Sequence, residues 1–239
     1  MEKTVRYFEL PRKDTIRIAC LGDSVTHGVF EVSESDQGEI LLDFDMDGVY
    51  HNQLRLMLEH LYPQVHFEVI NAGLSGDKSY GGLERMDEEV LSKQPDLCIL
   101  CFGLNDSCVL GMEKLNYYKE CMEKIIRKLG EIPVILLTPN MMCKKVSDEL
   151  TTPVLRRIAE NTIKVQNGGV LDAYAEAARE LAVKHDLYLC DEYAAYQRWS
   201  ELGIDTDGLL SNHINHPSRQ IHLMWAVDLF KIISGLTPA

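Results

Sequence analysis

Short apolar runs alternate along this 239-residue chain with longer segments of helical periodicity, and this alternation constrains the fold most. The runs are rich in Val, Ile, Leu and Cys, which is typical of strands covered on both faces. Strands joined through helices pair in parallel with right-handed crossovers. The sequence therefore predicts an α/β fold, a three-layer α/β/α sandwich around a central, mostly parallel five-stranded sheet. The predicted strands are residues 16–22, 66–73, 97–103, 134–139 and 187–193.

Apolar residues at helical spacing predict five helices between and after these strands. They lie near residues 50–61, 83–91, 115–129 and 171–182, and after Pro217. Length and the lack of a low-complexity linker favour a single domain over residues 1–239.

The charge balance and the cysteines restrict what the chain can do. With 24 Lys and Arg against 37 Asp and Glu, the net charge of −13 argues against nucleic acid or anionic lipid as a partner. We find no 18-residue apolar run and no signal-peptide core in residues 1–6, so we expect a cytoplasmic protein without a membrane partner. Cys98 and Cys101 fall three apart in a strand and point to opposite faces, which favours reduced core thiols.

Residues 31–47 form an acidic insertion without Lys or Arg. It follows the first strand closely and is expected either to wall a pocket there or to be a solvated loop. The stretch from Asp43 to Gly48 matches the start of a calcium loop. Leu54 occupies the position that needs a bidentate Glu, so we expect no calcium.

Polar residues suited to acyl transfer follow the predicted strands. Ser24 follows the first strand, Gly73 ends the second, Asn105 follows the third, and His216 precedes the last helix. Ligands of an open parallel sheet gather at the carboxyl ends of its strands. A serine, a histidine and amide donors are the groups that serine-based acyl transfer requires.

The motifs GDSVTHG, NAGLSG, GLND and NHINHPS, in this order, resemble the four sequence blocks of the GDSL/SGNH hydrolase superfamily. The resemblance implies a flavodoxin-like fold and a nucleophile at Ser24. It implies an oxyanion hole made by the backbone N–H groups of Ser24 and Gly73 and by the side chain of Asn105. His216 would be the general base, and neither a cofactor nor a metal would be needed.

The sequence departs from the family pattern at the acid that orients the base. The family places an Asp three residues before the histidine, and His213 stands there. A histidine cannot replace a carboxylate in this role, which leaves three alternatives. Asp207 or Asp205 supplies the carboxylate, a backbone carbonyl orients His216, or the enzyme is slow.

By resemblance, the expected function is removal of a small acyl group, with acetyl on a carbohydrate favoured, through an acyl-enzyme. The alternatives are a lysophospholipase or thioesterase, and a carbohydrate-binding protein that lost turnover with the acid. Tyr193, Tyr196 and Trp199 are expected in the core rather than as a sugar platform. The expected partner is a small acyl ester, and the sequence leaves a homo-oligomer open.

Overall fold

The computed structural model describes residues 8–236 and shows the predicted sandwich. Five parallel strands form the central sheet: β1 (Thr15–Gly22), β4 (His66–Gly73), β5 (Leu97–Cys101), β6 (Val134–Leu137) and β7 (Tyr188–Cys190). Their order across the sheet is β4-β1-β5-β6-β7. This is the flavodoxin-like order, with its switch point between β1 and β5. The predicted fold class is confirmed.

The helices cover both faces of the sheet because right-handed crossovers run in opposite directions from β1. The helices are α1 (Ser24–His27), α2 (Tyr50–Leu61), α3 (Ser79–Glu89), α4 (Leu104–Leu110), α5 (Leu115–Leu129), α6 (Pro153–Asn167), α7 (Val170–Lys184), α8 (Glu192–Glu201) and α9 (Arg219–Ile233). Helix α2 packs against α9, and α5 packs between α3 and α7. Tyr193 and Tyr196 are fully buried in the core and Trp199 packs against it, as expected.

The boundaries differ from prediction where the sheet gives way to loops. Strands β5, β6 and β7 end earlier than predicted because the residues that follow leave the sheet for site loops or helix α8. Helices α1, α4, α6 and α8 are additions to the predicted set. The prediction that residues 1–6 contain no signal-peptide core concerns residues outside the described part of the chain.

Most of the acidic insertion folds into an antiparallel hairpin of β2 (Val29–Glu34) and β3 (Ile40–Phe44). Arg219 at the start of α9 fixes the hairpin: its guanidinium donates to Glu31 at 2.7 Å and to Asp45 at 2.6 Å. The Arg219 guanidinium also lies 4.5 Å from the ring centroid of Phe30. The hairpin is thereby tied to the segment that carries His216.

All seven cysteines are free thiols, and Cys98 and Cys101 are buried in β5. Burial raises the pKa of the Cys98 thiol to about 12, so this sulfur stays protonated. Within residues 8–236, none of the helices is both long enough and apolar enough to cross a bilayer.

Candidate active site

Ser24 lies on a sharp turn at the carboxyl end of strand β1. The Asp23 carboxylate accepts a hydrogen bond from the amide of Val25 at 3.0 Å and caps the short helix α1. Gly22 cannot be replaced by a larger residue, because a Cβ there would lie 2.8 Å from the carbonyl oxygen of Cys101. The turn therefore presents Ser24 at the switch point of the sheet.

The structure brings His216 to Ser24. The Ser24 Oγ lies 2.9 Å from His216 Nε2, and Nδ1 of the same ring lies 3.2 Å from the carbonyl oxygen of Phe30. A carbonyl can only accept, so Nδ1 carries the proton and Nε2 is left to accept from the Ser24 hydroxyl. Burial lowers the pKa of His216 to about 4, partly offset by its bond to Phe30 and by the charge of Glu31.

A buried asparagine shapes the loop that carries the histidine. The Asn212 Oδ1 accepts from the backbone amides of Ile214, Asn215 and His216, at 2.9 to 3.0 Å. The side chain of Asn140, after β6, donates to the carbonyl of Asn215 at 2.8 Å. Asn212 is not among the site residues predicted from the sequence, although asparagine is a strong signal for such turns.

Neither candidate carboxylate contacts the base. Asp207 accepts from the backbone amides of Lys144 and Lys145 at 3.0 to 3.1 Å, and Asp205 pairs with the Lys145 ammonium at 2.9 Å. That ammonium holds the pKa of Asp205 below its usual range. His213 is half-buried with a φ of 57°, in the left-handed region. The group that contacts Nδ1 is a backbone carbonyl, and no side-chain pattern in the sequence could identify it.

Asn105 lies at the start of α4 and lines the same cavity as Ser24. Its side-chain amide donates to the Asp23 carboxylate at 3.2 Å, which leaves its second N–H for a ligand. The neighbouring Asp106 accepts from the amide and hydroxyl of Ser79 at 2.9 and 2.6 Å, so it fixes the loop. Burial raises the pKa of Asp23 to about 7 and that of Asp106 to about 6.

The glycine beside the pocket is Gly76, three residues after the predicted one. The Gly73 amide donates to Asn71 Oδ1 at 3.0 Å, and a Cβ on Gly73 would collide with the backbone of His27. Gly76 lines the pocket with a φ of 77°. Its N–H has no protein acceptor within residues 8–236. Gly76 is the second glycine of the NAGLSG motif, so the motif itself contained a signal for this position.

Ser24, Asn105 and His216 open into a cavity of about 170 Å³. One wall is aliphatic and is formed by Val32, Ile40, Leu42, Leu155, Ile158 and Ile214. The acidic insertion was expected either to form a wall of a pocket or to be a solvated loop, and in the structure it forms part of the cavity wall. A larger hollow, of about 590 Å³, lies at the opposite, amino-terminal end of β6 and β7.

In the calcium-like stretch, Asp45 has other partners. It accepts from the amides of Asp47 and Gly48 and pairs with Arg219. In the described part of the chain, no group of three or more His, Cys, Asp or Glu residues could hold a metal ion.

A serine hydrogen bonded to a buried histidine, beside an amide donor at the switch point of a parallel sheet, is the arrangement of a serine hydrolase. The sequence pattern of the GDSL-like Lipase/Acylhydrolase family matches residues 20–223. The chain belongs to this family and is a carboxylic ester hydrolase, so the family resemblance and the enzyme class are confirmed.

Solved structures share the fold. A lipase/acylhydrolase from Enterococcus faecalis is 22% identical with a TM-score of 0.68, over 92% of this chain and 96% of that one. The acetyl xylan esterase AlAXEase is 22% identical with a TM-score of 0.66, over 90% and 98%. A variant acetyl xylan esterase from Geobacillus stearothermophilus is 19% identical with a TM-score of 0.66, over 92% and 95%. No curated protein sequence matches the chain significantly.

Proposed function

We propose that the enzyme hydrolyses small neutral esters through an acyl-enzyme on Ser24. The observation that carries this proposal is the 2.9 Å contact between Ser24 Oγ and His216 Nε2, with the tautomer set by the Phe30 carbonyl. The serine hydroxyl and a neutral imidazole that can take its proton are thus already aligned.

The first half-reaction transfers the acyl group to the protein. Ser24 Oγ attacks the ester carbonyl carbon while its proton passes to His216 Nε2. The C–O bond to the alcohol breaks, and His216 returns the proton to the leaving oxygen. Water then attacks the acyl-enzyme by the same route, which releases the acid and restores Ser24.

The negative oxygen of the tetrahedral intermediate needs donors. Asn105, which has a second side-chain N–H, and Gly76 both line the cavity, and Ser24 begins α1, where amides have no intrahelical acceptor. We propose these three groups as the oxyanion hole, with Gly76 in place of Gly73.

The acetyl xylan esterases among the structural neighbours favour an acetyl group on a carbohydrate as one candidate substrate. The aligned Ser24 and His216 favour catalysis over a binding protein that lost turnover. Neither a nucleic acid nor a membrane is part of the proposal.

Hydrolysis of p-nitrophenyl acetate by the wild-type chain and by Ser24→Ala tests the proposal. We expect Ser24→Ala to lower kcat by about 10⁴-fold or more, because the nucleophile is lost. A fluorophosphonate should add to wild type and to Ser75→Ala, which removes the other serine of the pocket, but not to Ser24→Ala. Folded wild-type protein with neither turnover nor adduct would refute the proposal.

A further inference from the structure

The aliphatic wall of the cavity is formed by three separate segments. Val32, Ile40 and Leu42 come from the hairpin, Leu155 and Ile158 come from α6, and Ile214 comes from the histidine loop. Within the wall, Val32, Leu155 and Ile214 pack into a small core with Leu210 and Cys143. The wall is therefore supported from behind and keeps its shape without a ligand.

The front of the wall is open to water. Ile40, Leu42 and Ile158 are 40%, 39% and 39% exposed. Covering large aliphatic side chains with an apolar group removes their surface from water and is therefore energetically favourable. Because the same cavity contains the Ser24 hydroxyl and His216, an apolar group seated on the wall belongs to the molecule that Ser24 attacks.

The cavity offers little to a sugar ring. The described residues that line it include no charged side chain, and the one aromatic ring among them is the buried, neutral imidazole of His216. Of its polar side chains, Asn212 is occupied by the histidine loop, the Asn215 Oδ1 accepts from the Asn212 side chain at 2.9 Å, and Ser75 lies 3.0 Å from His27 Nδ1. Recognition of sugars uses aromatic faces and unoccupied polar groups. The chemistry of this wall suits a hydrocarbon.

The volume of the cavity and the negative charge of the protein restrict the class of substrate further. A volume of about 170 Å³ corresponds to five or six water-sized groups of about 30 Å³ each. Glu34 pairs with the wall residue Ile40 across the hairpin, Glu39 precedes Ile40 in the chain, and the protein's net charge is −13. Anionic acyl carriers are therefore disfavoured near the mouth of the cavity.

We propose that the wall is an acyl site, and that the enzyme prefers neutral esters of aliphatic acids of about four to six carbons to acetate esters. This inference rests on the proposed function, since it places the acyl group of the same acyl-enzyme on Ile40, Leu42 and Ile158. Each buried methylene should raise kcat/KM about threefold to fourfold until the cavity is full.

The test is the chain-length profile with p-nitrophenyl acetate, butyrate, hexanoate and decanoate. We expect kcat/KM for butyrate to exceed that for acetate about tenfold, and the value to fall by decanoate. Leu42→Thr, which places a hydroxyl in the wall on a β-compatible side chain, should lower the butyrate-to-acetate ratio at least threefold. Leu41→Thr is the matched control, because Leu41 is 48% exposed and is not among the residues that line the cavity.

The outcomes separate the two proposals. A ratio near one in the wild type, or equal ratios in Leu42→Thr and Leu41→Thr, would overturn the acyl site. So would a dependence on Leu42 that appears only when the alcohol is lengthened, or a dimer in solution that Leu42→Thr dissociates. Absence of any Ser24-dependent turnover and of any fluorophosphonate adduct would instead refute the proposed function itself.

Discussion

Ser24 Oγ and His216 Nε2 are 2.9 Å apart, yet the two residues are held differently: Ser24 by contacts within its own turn and His216 by a distant segment. The turn of Ser24 is local: Asp23 caps it, and the amide of Gly28 returns to the Ser24 carbonyl at 3.1 Å. The ring of His216 depends on the distant Phe30, whose carbonyl also accepts from the Ser211 hydroxyl at 2.7 Å. The nucleophile is thus built into one strand end, whereas the base depends on the docking of a hairpin.

The two supports also differ in charge. A carboxylate would both fix the tautomer of the imidazole and stabilise the imidazolium. A carbonyl dipole mainly fixes the tautomer and stabilises the imidazolium less. Burial dominates at His216 and lowers its pKa, so the resting base is neutral but weak. The comparison therefore predicts an enzyme whose geometry is complete and whose base is less assisted than in a full triad.

Removal of the amide on the nucleophile side should have the largest effect. Asn105→Ala should lower kcat by about 10²- to 10³-fold with little change in KM, because the amide acts on the charge that develops in the transition state. Steady-state kinetics with p-nitrophenyl acetate measures this, and thermal unfolding serves as the control for folding. A loss confined to KM would show that Asn105 binds the ground state instead.

On the base side, the tie between hairpin and α9 should matter less. Arg219→Ala removes the bonds to Glu31 and Asp45, so Phe30 is held less firmly, and we expect kcat to fall about tenfold with KM nearly unchanged. Arg219→Lys should recover part of the loss. Arg198→Ala removes an exposed ion pair with Glu201 and is the matched control. Equal rates in Arg219→Ala and Arg198→Ala would show that the hairpin needs no such tie.

The same contrast explains what the sequence could predict. Periodicity predicted the sandwich, and the strand ends placed Ser24 and Asn105 at one edge, because these depend on contiguous residues. The choice between Gly73 and Gly76 needed the path of the loop after β4. The contact with Phe30 joins positions 186 residues apart through a backbone atom, so no side-chain pattern records it. The aliphatic wall also required the docking of the hairpin against α6.

The pH dependence of the rate should distinguish a carbonyl support from a carboxylate. With the pKa of His216 lowered to about 4, about nine-tenths of the base remains neutral at pH 5, so kcat/KM should stay within about twofold of its value at pH 7. Activity should then fall as the pH drops through 4, because imidazolium cannot accept the Ser24 proton. A profile of kcat/KM from pH 3 to pH 8 measures this.

Charged neighbours make the pH experiment sharper. Glu31 raises the pKa of His216, and Arg219 neutralises Glu31. In Arg219→Ala the unpaired carboxylate should favour the imidazolium, so the acid limb of the profile should move to higher pH. The limb of the control Arg198→Ala should stay in place. A wild-type limb near pH 6.5 would mean that the imidazolium is stabilised by an acid.

The smallest effect is expected at the position where the family carries its acid. His213 has a φ of 57°, a conformation that Asp and Asn tolerate, so His213→Asp and His213→Asn should both fold. Asn212 already holds the loop and the Phe30 carbonyl already occupies Nδ1, so both variants should keep kcat/KM within about twofold of wild type. If His213→Asp alone raises the rate tenfold and moves the acid limb upward, the loop can aim a carboxylate at His216, and the carbonyl is the poorer support.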